Sequence, residues 1–188
     1  VTTLKAISEE LTKKKERNAV DELYAGAGDN AAASATWDSS SATIEADINN
    51  AIGKILDNAD SLNMKQLGVV VLIPAPLWSF FTAQQATLNL SVLDHFKKTL
   101  KSFEIIPTKY WSASASTGIQ DDALVYVPGA GTAIHGYTKN APFPLVERER
   151  VATVGYEYFI QQWFETVVTP DSKGTTTSGR IFKITNVI

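Results

Sequence analysis

Cysteine is absent from the 188 residues, which excludes disulfide staples, thiolate nucleophiles and sulfur-ligated zinc or iron–sulfur centres. Methionine occurs once, at Met64, and histidine twice, at His95 and His135. No apolar run approaches the ~20 residues that span a bilayer; the longest, Gly68 to Leu77, is interrupted by Pro74 and Pro76. No membrane partner is expected. Charge of one sign is also scarce: the net value of -3 supplies no broad basic field for nucleic acid. The opening residues are polar and rich in Lys and Glu, unlike a secretory signal. A chain that opens on Val1 is expected to be a processed form or a trimmed piece. What is present is ordinary for a soluble globular protein, 44% hydrophobic and 20% charged residues. The length can bury a substantial core, in one domain or two small interleaved ones.

Residues 4–24 place Leu4, Ile7, Leu11, Val20, Leu23 and Tyr24 at roughly helical intervals around Lys13-Lys-Lys-Glu-Arg17. This predicts a helix with a broad solvated face. Gly26 to Ser41 is rich in small residues and reads as a loop. It lacks the Lys-Ser/Thr that a phosphate-cradling loop places after its glycines. Residues 41–60 predict a long amphipathic helix, in which Ile44, Ile48, Ala51, Ile52, Ile55 and Ala59 form one apolar stripe. Ser41 or Thr43 is placed to cap it, and Glu45 and Asp47 suit its N-terminal dipole. Leu67-Gly-Val-Val-Val-Leu-Ile-Pro74 does not alternate, so it predicts a strand covered on both faces. Pro76 then opens a short helix through Leu77, Trp78, Phe80 and Phe81. A second amphipathic helix follows at Ser91 to Lys101, then strands at Phe103 to Trp111 and Ala123 to Val127. The stretch from Pro142 to Val168 is strand-rich, with an alternating antiparallel pair at Val151–Phe159 and Gln161–Val168, and a closing strand starts at Arg180.

Catalytic patterns are missing. The two histidines lie about forty residues apart, without His-x-His or His-Glu-x-x-His spacing, which disfavours a metal site. No Gly-x-Ser-x-Gly elbow supports a serine hydrolase. Asp121 and Asp122 are adjacent on a strand entry, where neighbours point to opposite faces, so a turn is favoured over a carboxylate pair. Trp37, Trp78, Trp111 and Trp163 fall in four separate segments and read as packing residues. Asn89-Leu-Ser91 fits the glycosylation pattern, which carries no weight without a signal. The one charged cluster of interest is Glu147, Arg148, Glu149 and Arg150. It is either a solvated edge strand that uses charge against aberrant pairing, or a salt-bridge strip between subunits. No cofactor is expected.

In this order the segments resemble the major capsid protein of tailed phages and prophages, the Hong Kong 97-like fold also used by encapsulin shells. The likeness rests on Ala19 to Asp60, on Val69-Val-Val-Leu-Ile-Pro74 with Leu77-Trp78, on Glu104-Ile-Ile-Pro-Thr-Lys109, and on Pro144–Val168 with Arg180–Val187. The resemblance implies an α+β fold with a long spine helix, at 41–60, packed on antiparallel sheets. It implies a peripheral domain of residues 1–66 and 146–168 and an axial domain of residues 67–145 and 169–188. The family's N-terminal arm and extended loop have no counterpart in residues 1–20, so the chain is expected to be a piece of a longer subunit.

The expected function is structural and non-catalytic: self-assembly into an icosahedral shell around DNA. The homo-oligomers are pentamers and hexamers in the full-length form, and packaged DNA is touched only loosely. The piece alone is expected to be a monomer or a small oligomer. The expected location is the virion capsid, after synthesis in the cytoplasm of a bacterial host. The alternatives are an encapsulin-like nanocompartment shell, a small-molecule-binding or hydrolytic domain using His135 with Asp121 or Asp122, and a carbohydrate-binding tail or decoration protein with tryptophans aligned on one face.

Overall fold

A computed structural model describes residues 2–59, 67–85, 90–108, 121–129, 132–137, 145–149, 156–160, 164–170 and 177–188. Its elements, in chain order, are α1 (Thr2–Ala25), β1 (Ala27–Ala32), α2 (Ile44–Asn58), β2 (Gly68–Pro74), a 3-10 turn (Ala75–Leu77), α3 (Trp78–Thr82), β3 (Gln84–Gln85) and β4 (Leu90–Ser91). They continue with α4 (Val92–Thr99), β5 (Ser102–Thr108), β6 (Ala123–Tyr126), β7 (Ala133–Tyr137), β8 (Leu145–Glu149), β9 (Tyr156–Ile160), β10 (Phe164–Val168) and β11 (Ser178–Thr185).

The continuous Val, Leu and Ile run makes β2 an inner strand, buried along its length after Gly68. It sits in a five-stranded sheet of order β1-β11-β6-β2-β5. The sheet is mixed, which corrects the expectation of antiparallel sheets. β2 runs parallel to β5, with Val71 beside Ile105, and antiparallel to β6, with Val71 beside Val125. The segment between β2 and β5 holds the 3-10 turn, α3 and α4; a crossover of this kind returns a strand in its original direction. β11 is antiparallel to β6 and parallel to β1.

Alternation sorts the sheet residues into two faces. Val69, Val71 and Ile73 of β2, with Phe103, Val125, Phe182 and Ile184, meet α2 and α4 in the larger core. The α2 stripe runs as the sequence predicts: Ile44, Ile48, Ala51, Ile52 and Ile55 are all buried. Residues from both stretches assigned above to different domains thus share this core. On the opposite face Leu72, Leu124 and Ile181 pack against Val20 and Leu23, near the C-terminal end of α1, and against Ala27 at the start of β1.

Three local readings are corrected. Residues 27–32, read as loop, form β1, because their small side chains allow close approach; a Cβ on Gly28 would lie 2.7 Å from the Ser178 carbonyl oxygen. Such residues carry no hydrophobic period and so send no strand signal. Thr43 is the N-cap residue of α2 without a side-chain cap bond. Its hydroxyl donates to Ser34 Oγ instead. Among the described residues the expected pairing within 151–168 is not made: β9 pairs with β8, and β10 pairs with β7.

Candidate self-association surface

Two of the polar groups singled out in the sequence, His95 and Asp122, join elements of the fold. His95 Nε2 lies 3.0 Å from Glu45 Oε1, joining α4 to the first turn of α2. His135 is on β7, in register with Thr166 of β10. Asp122 is buried at the entry to β6 and accepts from the Tyr24 hydroxyl at 2.6 Å and from the Asn186 N–H at 3.0 Å. Both of its oxygens are therefore engaged in joining α1 to the C-terminal residues, the strand-entry role favoured over chemistry. Burial, the hydrogen bond to Asp122 and the charge of Asp122 push the Tyr24 phenol up to about 12. The Lys183 ammonium sits 4.6 Å from the centre of the same ring. Among the described residues no three His, Cys, Asp or Glu gather closely enough to hold a metal ion. No described helix is long and apolar enough to cross a membrane.

The acidic residue that matters most locally was overlooked as a ligand. Asp47, in the first turn of α2, accepts from the backbone and hydroxyl of Ser34 and from Trp37 Nε1 at 2.9 Å. It fastens the 33–43 segment over the core, where Trp37 meets Phe81 edge-on with ring centres 5.4 Å apart. Sequence reading credited Asp47 with dipole compensation alone; a lone tryptophan ten residues upstream was the available clue.

Tryptophan exposure is uneven. Trp37 is 1% exposed, whereas Trp78 is 41% exposed, so the two described tryptophans do not line up as an open platform. Trp111 and Trp163 lie outside the described residues. Glu147, Arg148 and Glu149 form most of β8, in register with Tyr158, Glu157 and Tyr156 of β9, and Arg150 lies outside the described residues.

Among the described residues Trp78, Phe80, Ile106, Val167 and Ile188 are the large apolar side chains left exposed, and the first two lie on α3. Phe80 and Ile106 are each 36% exposed, and Trp78 more so. Trp78 and Ile106 flank a groove of about 600 Å³ on the sheet face that α1 only partly covers, walled by Val20 and Leu23 and floored by Leu72 and Tyr126. Glu16 stands on its wall. Glu104, exposed on β5, is close enough to raise the Tyr126 phenol, after the larger effect of burial. The lining of the groove is mainly apolar, with the Glu16 carboxylate and the Tyr126 phenol as its titratable groups. The alternation of β5 could have disclosed it, because Glu104 and Ile106 share the outward register.

No protein-family model matches the chain, and no curated protein sequence matches it significantly. Among solved structures it is similar to the virus-like particle from Pyrococcus furiosus, with a TM-score of 0.60 at 12% identity. The match covers 94% of this chain but 64% of that one, so the chain spans somewhat under two thirds of that protein's length. The chain therefore shares the fold of that protein, mixed α/β around a five-stranded sheet.

Proposed function

We propose that this chain is the structural subunit of a self-assembling protein shell and acts without catalysis. The single observation that carries the reading is the fold match to a virus-like particle across nearly all of this chain. The exposed Trp78, Phe80 and Ile106 support it, because surfaces of this kind are burial sites for partners. In its finer form the proposal is a tailed-phage or prophage major capsid protein, with α2 as its spine helix and with pentamers and hexamers enclosing loosely held DNA. Its place is then the virion, after synthesis in the host cytoplasm. Glu147, Arg148, Glu149 and Arg150 are proposed to form salt bridges between subunits, where arginine suits bidentate contacts.

Electron microscopy of the intact gene product, expressed in bacteria, tests the reading. Closed particles of uniform diameter are expected, and small discrete oligomers under every condition would sink it. The contents of the particles separate the capsid from a compartment of the encapsulin type: nuclease-protected DNA marks the first, a co-purifying enzyme cargo the second.

A further inference from the structure

We infer that α3 of one copy of this chain enters the groove beside Trp78 and Ile106 of a second copy, and that the second copy returns the contact about a two-fold axis. The inference rests on the self-association proposed above and adds its geometry. Residues 66–93 carry no Asp, Glu, Lys or Arg, the longest such stretch in the chain. Its first part is β2, where burial accounts for the lack of charge. Its next part is not buried: Pro76, Trp78, Ser79, Phe80, Thr82 and Ala83 are all exposed. A segment that is exposed, aromatic and free of charge has the composition of an interface centre.

The shape of this segment fixes its partner. Leu77 and Phe81, four residues apart, are buried and hold α3 to the core, so the ridge is preformed and costs little ordering to present. At about 100° per residue, Trp78 and Phe80 fall on opposite flanks of it. Trp78 borders the groove of about 600 Å³, and Phe80 borders a second hollow, of about 540 Å³, lined also by Trp37 and Ala83. Ridge and groove therefore lie side by side and share Trp78. When a neighbour's ridge enters this groove, the neighbour's own groove is brought against this ridge, and one approach fills both. That is an isologous contact. The two Trp78 side chains then meet near the axis, and each Phe80 faces the α1 wall of the other copy. Charge agrees with a second copy as the occupant. Glu16 is the carboxylate on the α1 wall, and an uncharged ridge brings no like charge against it. A shell of icosahedral symmetry contains two-fold axes between its rings of subunits, and such an axis makes a contact of this kind.

The absence of cysteine provides a clean test. Thr82 is exposed and lies one turn beyond Trp78 on the same flank. In the intact gene product, Thr82→Cys treated with a short bis-maleimide should crosslink to another copy of itself. A yield no higher than that of Val167→Cys, whose cysteine replaces a residue 53% exposed and outside the groove, overturns the two-fold contact. In sedimentation velocity over a range of concentrations, Trp78→Ala and Phe80→Ala should each raise the concentration at which half the chains associate by about tenfold or more. Glu16→Gln should change it by less than about twofold, because the ridge offers the carboxylate no charge. A loss as large as that of Trp78→Ala would show a cationic occupant and overturn the ridge. Unchanged association in both aromatic variants, with native circular dichroism, rejects the contact and leaves self-association standing. A wild-type chain that stays monomeric at every concentration defeats both.

Discussion

Two helices of this molecule contrast sharply. α1 is the longer, 24 residues, and α2 has 15. Yet α2 sets five residues into the main core, whereas α1 buries only Val20 and Leu23 fully among its residues from 9 onward. The difference lies in phase. The apolar residues of α2 repeat on one stripe, so every turn meets the same sheet. By helical count those of α1 fall on two sides, so no single stripe runs its length. Length makes a helix long; constancy of phase makes it a brace.

The contrast can be broken most forcefully at Ile48, which is fully buried on α2. Ile48→Ala should lower unfolding stability by about 2–5 kcal/mol, and Leu11→Ala on α1 by less than about 0.5 kcal/mol. Equal losses in denaturant melts would erase the distinction between the two helices. Next in size is Asp47→Ala, which strips the buried Trp37 Nε1–H of its acceptor and should cost about 1–3 kcal/mol, with blunted near-ultraviolet circular dichroism.

Tyr24→Phe removes the bond that ties α1 to Asp122, for about 1 kcal/mol. Its pH signature is more telling. The folded phenol titrates at about 12 against an ordinary 10.0, so folding favours the protonated form. The stability this supplies is complete below pH 10 and is lost as the pH rises from 10 toward 12. Stability measured across that window should fall in the wild type and fall less steeply in Tyr24→Phe, where the raised Tyr126 phenol still contributes. The smallest effect has the opposite sign. A methyl at Gly53 meets nothing within 4 Å, so Gly53→Ala should stabilise α2 by up to about 1 kcal/mol. A loss there would show that α2 leans on a neighbour at that position.

How far these features could be read beforehand follows from the strength of each local signal. The α2 stripe and the β2 run are strongly periodic or strongly apolar, and both stand where the sequence placed them. Ser91 is a cap of the expected kind for α4, its hydroxyl accepting the Asp94 N–H at 3.0 Å. β1 was illegible because Ala27-Gly-Asp-Asn-Ala-Ala32 owes its extended form to a partner 150 residues away, not to its own preferences. The same is true of which strand pairs with β10, since pairing is a property of two segments. The groove was half legible. The outward register of Ile106 could be counted, but its meeting with Val20 and Leu23 of α1 across one groove is a property of tertiary packing that no single segment carries.

One consequence of the sheet order concerns synthesis. β11 follows the other four strands of its sheet in the chain, yet it lies between β1 and β6. Until Ser178–Thr185 emerges, β1 has no neighbour to bond to and β6 is exposed along one side. The earlier segments must wait, open-edged and prone to errant pairing, for β11 to join them. Translation that stalls just before β11 should leave nascent chains dependent on chaperones, and emergence of Ser178–Thr185 should be the event that closes the five-stranded sheet.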